Sequence, residues 1–217
     1  LHELSCHGTH SWLLFVTILV VAVTSNLFLH PLQKTLEHLA LSGSLRRDSV
    51  NTALLRAAAE RAPEDIRITV YDYADVPLFN SDVEATDAVE RLKAAVTAAD
   101  GVLIATPEYN YSVPGVLKNA IDWASRPAYK SGFRDKPVGV MSASPGGIGG
   151  ARAQQHLKTI LLGLGAVVFP WPEFAVGGAF GKFEDGQLID EKTGEYLDRY
   201  VAGFAETIRR WGPSQPS

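Results

Sequence analysis

Residues Gly101 to Thr106 read GVLIAT, an almost unbroken apolar run set between stretches of helical character. A strand with no polar face cannot show one to water, so it belongs at the centre of a sheet covered on both sides, as parallel strands are in α/β proteins. The chain after Pro31 agrees with that demand, because short β-branched runs alternate with amphipathic patterns. Thr35 to Leu41 reads as a first strand interrupted by Glu37 and His38. Ser49 to Arg61 reads as a helix with Ser49 as N-cap and Leu54, Leu55 and Ala58 on one face. Ile66 to Tyr71 gives a second strand, and Glu84 to Ala99 a second helix with Val89, Leu92 and Val96 at helical spacing. Beyond the apolar run come a helix (Pro114 to Ala124), a strand (Pro137 to Ser142), a helix (Gly150 to Leu164), a strand (Ala166 to Phe169) and a closing helix (Glu191 to Trp211). Five strands joined by helical crossovers predict a doubly wound parallel sheet with helices on both faces.

At 217 residues and 46% apolar, the chain is long enough for one domain with a full core and too short for two large ones. The net charge is −4 and the 20 basic residues are scattered, so the long-range field offers nothing to a nucleic acid backbone. Cys6 is the sole cysteine, which excludes an intrachain disulfide and a cysteine-based metal site and fits a reducing, cytoplasmic compartment. His2, His7 and His10 lack Cys or carboxylate partners at ligand spacing, so they read as terminal residues rather than metal ligands.

The first 34 residues do not match this pattern. Trp12 to Leu29 is an uncharged apolar stretch of about the length that spans a bilayer. It reads as a membrane anchor, a signal-peptide core or a non-native extension, and the missing positive charge before it makes the signal peptide the weakest of the three. As an anchor, followed by Lys34, Arg46 and Arg47, it would leave the main domain facing the cytoplasm. The expected organisation is an extension over residues 1–34, an α/β domain over 35–212 and a short Pro/Ser tail over 213–217.

Ligands of doubly wound sheets bind outside the carboxyl ends of the strands, where strand order reverses. Three loops should meet there. The first, Ser42 to Asn51, combines Ser42, Ser44, Arg46, Ser49 and Asn51 with a glycine and a helix N-terminus, an anion site suited to a phosphate monoester. An ordinary capped turn would not need so many donors. The Walker signature and the Gly-x-Gly-x-x-Gly dinucleotide cradle are both missing. The second loop, Thr106 to Gly115, is stiffened by Pro107 and Pro114, and its amides, Asn110 and two tyrosines suit a flat heteroaromatic ring. The third, Ser142 to Gly150, has four glycines that let a ligand lie against bare backbone.

These loops resemble those of the NADPH-dependent FMN reductase family, which includes bacterial quinone and chromate reductases. The resemblance is carried by Ser42-Gly43-Ser44-Leu45-Arg46 with Ser49 and Asn51, by Thr106-Pro107-Glu108-Tyr109-Asn110 through Pro114-Gly115-Val116-Leu117-Lys118-Asn119-Ala120-Ile121-Asp122-Trp123, and by Ser144-Pro145-Gly146-Gly147 with Gly149-Gly150-Ala151-Arg152. It runs from about Leu39 to the last helix and says nothing of the first 34 residues. It implies a flavodoxin-like sheet of order 2-1-3-4-5 and bound FMN, with NADPH or NADH as co-substrate. Ser44, Arg46, Ser49 and Asn51 would then hold the FMN phosphate. Pro107, Glu108, Tyr109 and Asn110 would line the ribityl chain and ring, and Ser144, Gly146 and Gly147 the ring's other edge. The helix Pro114 to Ala124 would pack at a homodimer or homotetramer seam. The activity implied is ping-pong hydride transfer to a small acceptor: a quinone, free flavin, azo compound or metal oxyanion such as chromate. No catalytic side chain is required, because the flavin carries the chemistry. Two other readings are a flavodoxin-type electron carrier, against which net charge −4 and Arg46 both speak, and a non-catalytic regulatory module, flavin-binding or flavin-free.

Overall fold

The computed structural model describes residues 35–211. The apolar segment, the terminal histidines, Cys6 and the tail lie outside the described residues, so the expectations placed on them are not addressed by the fold. Among the described residues no helix is long and apolar enough to cross a membrane.

Strands β1 (Leu36–Ser42), β2 (Ile66–Val70), β3 (Gly101–Ala105), β4 (Pro137–Ala143) and β5 (Val167–Val168) form a parallel sheet in the order β2-β1-β3-β4-β5. The order and the parallel pairing agree with the expectation, and β3, the GVLIAT strand, lies at the centre with every residue buried. Helices α1 (Val50–Glu60), α2 (Asp87–Ala98), α3 (Gly115–Ala124) and α4 (Ala151–Gly163) form the crossovers, and α5 (Glu191–Trp211) closes the chain.

Alternation along the strands sorts the core into two layers. Leu39, Leu41, Val102, Ile104, Val138 and Val140 pack with α2, α3 and α4. Ala40, Leu103, Ala105, Met141 and Ala143 point the other way, against α1 and α5. From α5 come Leu197, Tyr200, Val201, Phe204 and Ile208, all at most 2% exposed. Each such large side chain contributes roughly 1.5–3 kcal/mol by burial. His38 also faces this layer, 2% exposed and edge-on to Phe204 at 5.4 Å, so the residue that weakens the first strand's pattern sits inside the core.

The far margin departs from the sequence reading. β5 pairs only with Pro137 and Val138, and a further strand, β6 (Phe174–Val176), takes over against Met141 to Ala143. Between them the carbonyl of Val140 accepts the Tyr200 hydroxyl at 3.0 Å. Gly139 makes room for that approach, since a Cβ there would lie 3.0 Å from the Tyr200 oxygen. A short hairpin, β7 (Phe183–Glu184) and β8 (Gln187–Leu188), precedes α5.

Candidate active site

Strand order reverses between β1 and β3, and the loops after β1, β3 and β4 lie side by side there. Each predicted site residue lies on one of these loops, at the end of the strand before it (Ser42) or at the start of the helix that follows (Asn51).

The β1 loop is shaped by its own hydroxyls. Ser42 Oγ lies 2.7 Å from Thr52 Oγ1 and accepts from the Ser44 amide at 3.3 Å, while Ser44 Oγ accepts from the Arg46 amide at 3.3 Å. Ser49 caps α1, accepting from the Thr52 amide at 3.4 Å. Such side-chain-to-backbone bonds hold a turn that would otherwise leave amides free. The Tyr73 hydroxyl, from the β2 loop, donates to the Ser42 carbonyl. Burial pushes the Tyr73 phenol well above its ordinary range, so it remains a donor at any physiological pH. Gly43 is where this loop meets the next. A Cβ on it would fall 2.7 Å from Thr106 Oγ1 and 2.9 Å from Thr106 Cα, and its amide donates to the Ala105 carbonyl at 2.7 Å.

Asn51, in the first turn of α1, is bound to the β4 strand. It is 2% exposed, and its amide makes a two-point bond with the backbone of Ala143, donating to the carbonyl at 2.9 Å and accepting from the N–H at 2.8 Å. It therefore straps the start of α1 to the end of β4. Ser44 and Ser49 are also buried, whereas Arg46 is exposed.

The β3 loop is a small rigid unit. Tyr109 and Ser112 exchange both backbone bonds at 3.0 Å around a two-residue turn in which Asn110 (φ 48°) and Tyr111 (φ 67°) are left-handed. Asn tolerates that conformation, whereas for a bulky Tyr it is strained. The strain coincides with a ring stacked under a cation, because the Arg152 guanidinium lies 4.0 Å from the Tyr111 ring centroid. Glu108 fixes the same arginine, accepting from Arg152 Nε at 2.7 Å and from its backbone N–H at 3.1 Å. Its carboxylate thus caps α4 from a loop 44 residues earlier in the chain.

In the β4 loop, Ser144 Oγ accepts from the Gly146 amide at 3.3 Å, and Gly177 backs the loop so closely that a Cβ there would meet the Gly147 carbonyl at 2.5 Å. Gly146 and Gly147 are exposed, and a Cβ built on Gly147 would meet nothing within 4 Å. That leaves bare backbone facing open space beside the β3 loop. Gln154, buried behind it, donates to Ser142 Oγ at 2.6 Å and to the Phe174 carbonyl at 2.9 Å.

The sequence profile described as NADPH-dependent FMN reductase matches residues 37–181, the span that carries all three loops. The chain belongs to the NADPH-dependent FMN reductase family. As a member, the reductase is an oxidoreductase that uses FMN with NAD(P)H as co-substrate. It is 43% identical over 176 residues to an NAD(P)H-dependent FMN reductase of Pseudomonas aeruginosa, covering 79% of this chain and 95% of the relative. Identity to a quinone reductase of Escherichia coli K12 is 41% over 186 residues, covering 82% of this chain and 98% of the relative. The fold matches that of FerB, a flavoenzyme NAD(P)H:(acceptor) oxidoreductase from Paracoccus denitrificans, with a TM-score of 0.75 and 38% identity over 82% of this chain and 99% of that one.

The residues present fit FMN. The reductase offers a turn rich in donors with an exposed arginine for a dianion, and next to it a glycine backbone left uncovered for a planar ring. The β2-loop tyrosine, the Asn51 strap and the Glu108 cap were not foreseen, since each depends on a partner far away in sequence.

Proposed function

We propose that the reductase holds FMN across the three loops and passes electrons from NAD(P)H to a small acceptor, in alternation at one open face. The observation that supports this reading is the close contact of the β1 and β3 loops at Gly43, with the uncovered Gly146–Gly147 backbone of the β4 loop on the other side of the β3 loop. Ser44, Arg46, Ser49 and the first amides of α1 hold the phosphate, with Ser42 and Asn51 keeping the turn in place. Pro107, Glu108, Tyr109 and Asn110 line the ribityl chain and one side of the ring, Glu108 by fixing the loop rather than by acid–base work. Ser144, Gly146 and Gly147 border the other edge. FMN, once bound, supplies the two-electron chemistry.

The exposed rings of Tyr109 and Tyr111 flank a face open to solvent, so co-substrate and acceptor use the same face in turn, a ping-pong scheme. Such a face selects weakly, which supports an acceptor range of quinones, free flavins, azo compounds and metal oxyanions such as chromate. Quinone comes first, because a quinone reductase is 41% identical over nearly its whole length. The unit over residues 35–212 suffices for flavin binding, and it works in the cytoplasm as a homodimer or homotetramer joined through α3.

The test uses the purified full chain. It is expected to be yellow, to bleach on anaerobic addition of NADPH and to recover colour with a benzoquinone. Arg46→Ala should lower FMN affinity by roughly 10–100-fold, the effect of losing one charge-assisted bond. A colourless protein that stays colourless after reconstitution, or an Arg46→Ala variant that retains FMN as before, defeats the proposal. Slow NADPH oxidation with fast one-electron exchange would instead mark an electron carrier.

A further inference from the structure

The ladder between β1 and β2 stops one bond short of the turn that follows β1. Leu36 to Ala40 pair with Ile66 to Val70, and a last bond runs from the Tyr71 amide to the Ala40 carbonyl at 2.9 Å. Residues two apart on a strand turn their backbone groups to the same neighbour, so the Ser42 carbonyl faces the β2 side as that of Ala40 does. A continued ladder would meet it with the amide of residue 73. By then the chain has left the sheet, since β2 ends at Val70, and Tyr73 meets Ser42 with its side chain instead, the phenol hydroxyl donating to the Ser42 carbonyl. Tyr73 is well set for that bond. It is 3% exposed, with its ring in the layer of Leu39 and Leu41. The backbone around it is closed into turns, the Ala74 amide donating to Asp72 Oδ1 at 3.0 Å and the Val76 amide to the Tyr73 carbonyl at 3.1 Å.

The peptide between Ser42 and Gly43 is thereby held at both ends, its carbonyl by the Tyr73 phenol and its N–H by the Ala105 carbonyl at 2.7 Å. A peptide group is planar, so fixing those two atoms fixes its orientation, and the turn starts from it. No side chain restrains this peptide, because a Cβ on residue 43 would strike Thr106. Resting on the FMN reading above, we propose that Tyr73 is a positioning residue for the FMN phosphate: through the Ser42 carbonyl its hydroxyl sets the Ser42–Gly43 peptide and so aims the donors of Ser44 and Arg46. It also reconciles two opposed demands. A longer β2 would fix Ser42 by its backbone but would fill the cavity of about 480 Å³ that lies between Ser44 and Arg46 on one side and Tyr71 to Ala74 on the other. With a phenol reaching back in place of the strand, the turn is fixed and the space beside it stays open.

Tyr73→Phe keeps the ring and removes the hydroxyl, and the experiment titrates flavins into the full chain stripped of cofactor. FMN should bind the variant roughly tenfold more weakly than wild type, the effect of losing one buried hydrogen bond, whereas riboflavin, which has no phosphate, should bind both proteins alike. The phosphorus NMR signal of bound FMN should move in the variant while the visible spectrum of the ring keeps its shape, a combination that a general loosening of the core would not produce. Tyr73→Met, which lacks the donor but packs more adaptably, gives the same comparison should the Phe variant not fold. An unchanged FMN affinity overturns the proposal. Equal losses for FMN and riboflavin also overturn it, since Tyr73 would then serve the core alone. Failure of the underlying reading looks different: the wild-type protein itself would then bind no FMN, or would bind riboflavin as tightly as FMN.

Discussion

At its carboxyl end, strand β1 leads into a turn whose hydroxyls all have partners: Ser42 with Thr52 and the Ser44 amide, Ser44 with the Arg46 amide. Four residues upstream on the same strand, His38 is as deeply buried, yet neither ring nitrogen has a hydrogen bond. Burial is thus compensated in the β1 turn and uncompensated four residues beneath it. Polar groups at the site act as scaffold, while the one in the layer below is a latent weakness that protonation exposes.

Asn51→Ala tests the scaffold half of this contrast most severely. It leaves the N–H and carbonyl of Ala143 unpaired in a dry setting, at about 1–3 kcal/mol each, so a loss of roughly 4 kcal/mol is expected in denaturant titration. A loss below about 1 kcal/mol would mean that the strap is dispensable.

Acid tests the other half. Burial lowers the His38 pKa to about 4, whereas an unfolded chain takes up that proton near 6.5. The unfolded state therefore binds more protons within this window. The stability owed to a neutral His38 is fully present above pH 6.5, falls as pH drops through the window and reaches its full loss, about 3 kcal/mol, below pH 4. His38→Leu should flatten that slope and raise stability at neutral pH by about 1 kcal/mol, as expected for replacing an unbonded polar group with an apolar one. An unchanged pH profile in this variant would erase the contrast.

The smallest effect belongs to Glu108→Gln. Its partner Arg152 is 42% exposed, so solvent screens the pair and about 1 kcal/mol or less is at stake. Hydrogen exchange should quicken at Tyr109 and Ser112, whose mutual bonds the cap steadies, ahead of any global change.

Much of the fold is legible because each strand meets a simple demand. GVLIAT has no polar face, and the Leu54–Leu55–Ala58 and Val89–Leu92–Val96 spacings each bury one stripe of a helix. Phe174–Val176 escapes notice since three residues after Pro170 and Pro172 carry no period, and only the free half of β4 makes them a strand. Within the site, hydroxyls and glycines stand out by composition. Roles that depend on distant pairing do not: no local pattern puts Ala143, 92 residues away, beside the Asn51 amide.

The bond from Tyr200 to Val140 bears on how copies of this chain can join. A sheet margin invites another strand only where several consecutive backbone groups are free. Here β5 takes the first stretch, β6 takes the last, and a phenol from the closing helix occupies the gap. β4 is thereby left no free run of backbone, and the margin passes to two separate strands of two and three residues, each too short to template the addition of another chain.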